Sequence, residues 1–368
     1  MRIRYLALMI AEHASTRALD ALTTLALIRL LDVSSLGTLV VYQSWVAILL
    51  LFFPALENVL YREHGKLKAA GQLSRELAIY RKFNVMKLGF ALSLTFFGAL
   101  VPVKDVDFGR RLAALALAFA VPLSQALYGI FREPLRFELR QGVVVLLNGL
   151  QRLVLLALVY AAGRLTGGAI EPIAVAALCV YLVFGGLWAT VSDKLLLEGK
   201  KRARVALKEA WPRIRGAFTE TVLWLHLSGA IMGAVQTLDV YFLSRTSTPL
   251  REIAAYSIAL KAANFFQLLS LPVTQAFGVY LGRRSNRHDA RADRRAAVFA
   301  VAAFAAVGVL VIAFGFTTAE PLLGFLAKGK FTPDELANAV RFFRPMLVGV
   351  VVLSLGYAPG TYLGSRGD

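Results

Sequence analysis

Ten apolar stretches recur along this chain with charged segments between them, and that alternation leaves few folds open to it. They run near 8–30, 35–60, 84–101, 112–131, 142–162, 172–191, 218–243, 253–281, 296–316 and 338–363. Each matches the roughly 20 apolar residues that a helix needs to cross the hydrocarbon core of a bilayer. Lipid offers no partner for backbone N–H and C=O groups, so segments of this kind are expected to be helices that bond internally. Over 368 residues, 58% are hydrophobic and only 17% are charged, well below the charged share of a soluble domain. The expected fold class is an all-α polytopic membrane protein of about ten transmembrane helices.

The formal net charge is +18, a value that elsewhere points to nucleic acid. Here the cations lie in short runs between apolar segments, so they read as topology signals and contacts to anionic lipid headgroups, and no nucleic acid is expected. Counting alternate loops, 26 Lys and Arg residues fall on one side of the bilayer and 8 on the other. The positive-inside rule puts the richer side, with both termini, in the cytoplasm. The opening Met1-Arg-Ile-Arg-Tyr-Leu is followed by Glu12, His13, Arg17 and Asp20, so the first stretch reads as a first span and not as a cleaved leader. The only cysteine, Cys179, sits in an apolar run and reads as a packing residue. Between spans six and seven, Leu195 to Arg215 sets Lys and Arg against Leu207, Trp211 and Ile214 at helical spacing. An interfacial amphipathic helix with Trp211 at headgroup depth is expected there.

The two halves resemble each other. Leu51-Phe-Phe-Pro-Ala-Leu ends the second span, and Leu269-Ser-Leu-Pro-Val-Thr ends the eighth. Pro54 and Pro272 stand 218 residues apart, an interval that holds six spans. An even number makes the halves insert in the same direction, as a parallel repeat. The expected division is an N-lobe over 1–192 with six helices, an amphipathic cytoplasmic linker over 193–217, and a C-lobe over 218–368 with four. On the repeat, that C-lobe is two helices short. Kinks are plausible at Pro54, Pro122 and Pro272.

Ionisable residues inside spans cost roughly 2.5–3.5 kcal/mol or more at the centre and usually face a cavity. His13, Arg17, Asp20 and Thr24 share one stripe of the first span. Either the stripe lines a hydrated path, with Arg17 holding an anion and Asp20 or His13 titrating, or Arg17 and Asp20 neutralise each other as a structural pair. Span five carries Asn148 and Arg152, and span seven carries Glu220, His226, Gln236 and Asp239. Span eight carries Ser257, Lys261 and Asn264 on one face. Arg341 and Arg344 open span ten, close enough to its end to snorkel to headgroups. There is no G-x-x-x-x-G-K-[ST] loop and no H-E-x-x-H motif, so neither a built-in ATPase nor a metal or other cofactor is expected, nor an enzyme.

Leu25-Ala-Leu-Ile-Arg-Leu-Leu-Asp-Val-Ser-Ser-Leu-Gly-Thr-Leu39 resembles the exit from the first helix of polysaccharide flippases in the MOP, MATE-like, exporter superfamily. Thr237-Leu-Asp-Val-Tyr-Phe-Leu-Ser and Ala255-Tyr-Ser-Ile-Ala-Leu-Lys-Ala are similar to its seventh and eighth helices. Arg29, Gly37, Asp239, Tyr256, Ala259 and, more loosely, Pro272 are the family-like positions. The resemblance implies a two-lobed alternating-access transporter in a bacterial inner membrane, flipping undecaprenyl-diphosphate-linked oligosaccharide for lipopolysaccharide or related polymers. It implies substrate binding by Arg17, Arg152, Lys261 and Asn264, ion coupling by Asp20, His13 or Asp239, and polysaccharide assembly enzymes as partners. A lipid II flippase, a multidrug exporter of the same superfamily and a truncated, non-transporting membrane scaffold are the alternatives.

Overall fold

The computed structural model describes residues 3–50, 72–100, 106–137, 140–197, 205–217, 238–246, 248–265 and 290–355. Among these residues there are helices and their turns, and no strand. The helices are α1 (Ile3–Leu30), α2 (Val33–Leu50), α3 (Leu73–Leu100), α4 (Phe108–Phe137), α5 (Gln141–Leu165), α6 (Ile170–Leu197) and α7 (Leu207–Ala217). They continue with α8 (238–245) and α9 (250–265), then α10 (Ala290–Ala327) and α11 (Pro333–Leu355). The expected spans at 35–60, 218–243, 253–281 and 338–363 lie partly outside the described residues, as do Pro54, Pro272 and the 217/218 boundary; α4 runs unbroken past Pro122.

Four of these helices are long and apolar enough to cross a bilayer by composition alone: Gln141–Leu165, Ile170–Ser192, Phe304–Ala327 and Pro333–Leu355. Only 17–39% of each apolar window is buried within the protein. A soluble helix of that hydropathy would be buried all round, so these outward apolar faces require lipid. The α10 window begins two turns later than the expected 296–316. Its alanine-rich start carries the helix back to Ala290, and Lys328 and Gly329, both at positive φ, end it after Ala327.

The chain forms two compact units, residues 1–248 and 249–368. In the first, α1 packs along α5, α4 packs against α2, α3 and α6, and α5 packs against α6. The α1–α5 pair is parallel. Leu30, at the end of α1, meets Gly163, at the end of α5, where an added Cβ would lie 2.7 Å from Leu30 Cδ1. Small residues of this kind let membrane helices approach closely. Just beyond, Gly168 sits at φ +87 with its Cβ position only 2.2 Å from the Leu30 carbonyl oxygen. The packing of α8 on α2 is aromatic: Tyr241 meets Trp45 edge-on at 5.3 Å, and the Arg245 guanidinium lies 4.8 Å from the Trp45 ring centre.

The second unit repeats the arrangement of spans two to four. The α10–α11 hairpin is antiparallel, with Gly308 against Val351 and Gly315 against Leu347, as α3–α4 is in the first unit. The α9 and α11 helices run parallel, joined by Arg251 with Glu335 and by Tyr256 edge-on to Phe342. The matching pair in the first unit is α2 and α4, whose first turns meet where Asp32 faces Arg110. In the expected linker, α7 is a helix with Ala210 fully buried and Trp211 53% exposed. Lys82 Nζ on α3 donates to the carbonyl of Val205 just ahead of α7, at 2.6 Å.

Asp32 caps α2. Its carboxylate accepts the Ser35 amide at 2.9 Å and the Ser35 hydroxyl at 2.6 Å. Burial works against its ionisation, but the Ser35 and Ser34 bonds and the Arg110 guanidinium outweigh burial and hold the carboxyl below its usual range. A depressed value stabilises the fold above the unfolded pKa, and that contribution is lost as pH falls through the folded one. Asp32→Ala should therefore cost about 1 kcal/mol at neutral pH in a denaturant titration, and the difference from wild type should shrink as the titrations move into acid. Gly168→Ala should lower the thermal midpoint far more than Gly167→Ala. Gly167 has φ +64 but open space around it, so its alanine carries only the left-handed penalty of about 1–2 kcal/mol.

Candidate functional site

The face of α5 turned toward α1 carries Gln141, Asn148 and Gln151, at i, i+7 and i+10, all buried. Three amides on one face of an otherwise apolar span need polar partners, because an unmet amide in an apolar surround costs several kcal/mol, on the order of 4–8 in a medium without hydrogen bonds. The partner is Glu12, only 2% exposed. Gln141 Nε2 donates to one carboxylate oxygen at 2.5 Å, and Asn148 Nδ2 donates to the other at 2.6 Å. The carbonyl oxygens Gln141 Oε1 and Gln151 Oε1 are also buried and have no hydrogen-bond partner among the described residues. The cluster is thus rich in acceptors: one carboxylate and two spare amide oxygens.

Two turns further along the same seam, Arg152 Nε donates to Asp20 Oδ1 at 2.8 Å and Arg152 Nη2 donates to Oδ2 at 3.3 Å. This is the bidentate fork geometry in which guanidinium and carboxylate pair best. The pair is partly open, with side-chain exposures of 22% for Arg152 and 46% for Asp20. Contacts from Glu12–Gln141 through Asp20–Arg152 to Leu30–Gly163 climb both helices in step. The polar groups therefore sit along one line between parallel spans.

A family model, MatE, matches residues 225–368. Among solved structures, an inward-facing multidrug resistance MATE family transporter of the MOP superfamily is similar over 100% of this chain and 82% of its own. Its TM-score is 0.62 at 13% identity. An outward-facing MATE family transporter is similar over the same shares, with TM-score 0.55 at 14% identity. A MATE structure in complex with MaL6 covers 99% of this chain and 80% of its own, with TM-score 0.52 at 13% identity. No curated protein matches the sequence. The chain has the fold of a MATE transporter.

Within the MATE fold, the expected site residues divide between the units. The structure brings Asp20 together with Arg152, a residue 132 positions away, and not with Arg17, which is exposed. Asn148 joins Glu12. The side chain of His13 lies outside the described set. Asp239 is half-buried at the start of α8, where Oδ1 accepts the Val240 amide at 2.7 Å. Lys261 and Asn264 are half-buried on one face of α9, with Ser257 buried a turn earlier. Among the described residues no group of three or more His, Cys, Asp or Glu is placed to hold a metal ion.

Sequence reasoning missed Glu12, which lies off the 13/17/20/24 stripe. The signal was the amide face of α5. Glu12→Ala should strip acceptors from two buried amide donors and destabilise the purified protein by about 2–5 kcal/mol. Glu12→Gln, which keeps one acceptor oxygen, should cost about 1–3 kcal/mol. Unfolding in detergent measures both, and equal stability of the two variants would contradict the geometry.

Proposed function

We propose that the chain is an alternating-access exporter that flips a lipid-diphosphate-linked oligosaccharide across a bacterial inner membrane. Alternating access is supported by likeness to both inward-facing and outward-facing MATE structures over the whole length. The observation that carries the cargo reading is the partnering of charge in the α1–α5 seam. Both carboxylates on α1 are engaged by α5, Glu12 by two amides and Asp20 by Arg152, while Arg17 is exposed. An organic cation meets an Asp20 carboxylate already held by Arg152 and a Glu12 carboxylate that is buried. A diphosphate finds the exposed guanidinium of Arg17 and a second one, Arg152, that is partly open.

In this reading Arg17 and Arg152 take the diphosphate, Lys261 and Asn264 on α9 are further binding candidates, and the polyprenyl tail stays in lipid. A phosphate that takes Arg152 releases Asp20, which then needs a proton or a monovalent cation. Cargo uptake and ion uptake are linked in this way, with His13 and Asp239 as further coupling candidates. Polysaccharide assembly enzymes would supply and consume the cargo.

The test is complementation in a bacterium lacking its polysaccharide flippase, with drug susceptibility measured in parallel. Wild type should restore surface polysaccharide. Arg17→Ala and Arg152→Ala should each reduce it about tenfold or more, the value of a lost charge-assisted phosphate contact. Asp20→Asn should leave binding of lipid diphosphate intact while abolishing its dependence on an ion gradient. Drug resistance without polysaccharide, from a chain well expressed in the membrane, would replace this reading with the multidrug one.

A further inference from the structure

The basic end of α3 and the whole of α7 play no part in the cargo site. In α3 the charges Arg75, Glu76, Arg81, Lys82 and Lys87 fall between residues 75 and 87, and Leu88 to Leu100 carries none. The Lys82–Val205 bond sets the start of α7 beside the charged turns of α3, six residues before its uncharged run begins at Leu88. The end of α4 returns to this level, since Arg81 lies 5.0 Å from the ring centre of Phe131. The start of α7 therefore lies beside the charged turns of α3 that precede its apolar half.

Its faces suit a membrane interface. Ala210 is fully buried, while Lys208, Trp211 and Arg215, at i, i+3 and i+7, share one face and are exposed. An indole flanked by two cations is the pattern of a helix lying in an anionic interface. With Arg75, Arg81, Lys82 and Arg132 close to the same level, cations outnumber the acids Glu76 and Glu209.

We infer that α7 and the first turns of α3 form a docking surface for anionic phospholipid headgroups of the bilayer. Lys208 and Arg215 meet phosphate there, and Trp211 sits at the acyl boundary. The charge complementarity favours lipid over a protein partner, because the exposed face sets an indole between two cations, the pattern of an anionic interface. The inference is independent of the cargo.

Hydrogen exchange over 207–217 tests it, in lipid discs of phosphatidylcholine alone and of phosphatidylcholine with phosphatidylglycerol. In wild type, phosphatidylglycerol should slow exchange of α7, and soluble glycerol phosphate should not. Lys208→Gln should weaken that protection about fivefold, the effect of one cation at an anionic surface, with the thermal midpoint in pure phosphatidylcholine unchanged. Glu209→Lys, at an exposed position, should strengthen it. Equal exchange in both discs, protection by glycerol phosphate, or no response to either substitution would overturn the inference.

Discussion

A carboxylate buried inside a membrane span determines how the first unit is assembled. Glu12 must find donors, and α5 is where they are. Short loops join neighbouring spans as antiparallel pairs, so a parallel pair such as α1 and α5 has to be closed across more than a hundred residues of intervening chain. Apolar packing alone gives little reason to choose one register over another in lipid. The Glu12–amide bonds, the Asp20–Arg152 fork and the Leu30–Gly163 contact act at three heights of the seam, and a slip by one turn would break all of them.

The same economy appears where the units repeat each other. Spans two and four in the first unit, and eight and ten in the second, are parallel pairs with opposite charges near their first turns. The signs are exchanged: an acid on α2 faces a base on α4, while a base on α9 faces an acid on α11. Glu335 also accepts the Thr332 amide at 2.9 Å, and the Thr332 hydroxyl accepts the Glu335 amide at 3.3 Å. That capping box orients Glu335 toward Arg251, as the Ser35 bonds orient Asp32.

Much of this was legible in the sequence, because lipid imposes length and apolarity on each helix separately. The helices, their order, the helical linker around Trp211 and the repeat of short-turn segments all follow from local pattern. Partners across helices do not. The spacing of Arg17 and Asp20 favours a local pair, yet Asp20 takes Arg152, whose fork reaches both oxygens at once from the neighbouring helix. Glu12 was passed over because its own helix gives it no polar neighbours on the expected stripe. Its reason for being there is written on α5, in Gln141, Asn148 and Gln151. Reading one helix at a time shows where charge sits and leaves its partner unseen.

That Arg152 is paired with Asp20 bears on how such a seam could work. An unpaired charge buried within a span costs roughly 2.5–3.5 kcal/mol or more, so leaving the half-buried Arg152 bare would weaken the empty protein. A guanidinium already matched to a carboxylate avoids that cost. Exchanging the carboxylate for a phosphate swaps one bidentate bond for another of similar strength, provided that the released carboxylate is neutralised in turn. The exchange is then close to balanced in free energy, and a transporter requires such balance, since cargo bound far more tightly than the pair it displaces would not leave on the other side. Arg152 and Asp20 are partly open and Glu12 is closed in: the buried carboxylate joins α1 to α5, and the open pair is the one that the proposed exchange would use.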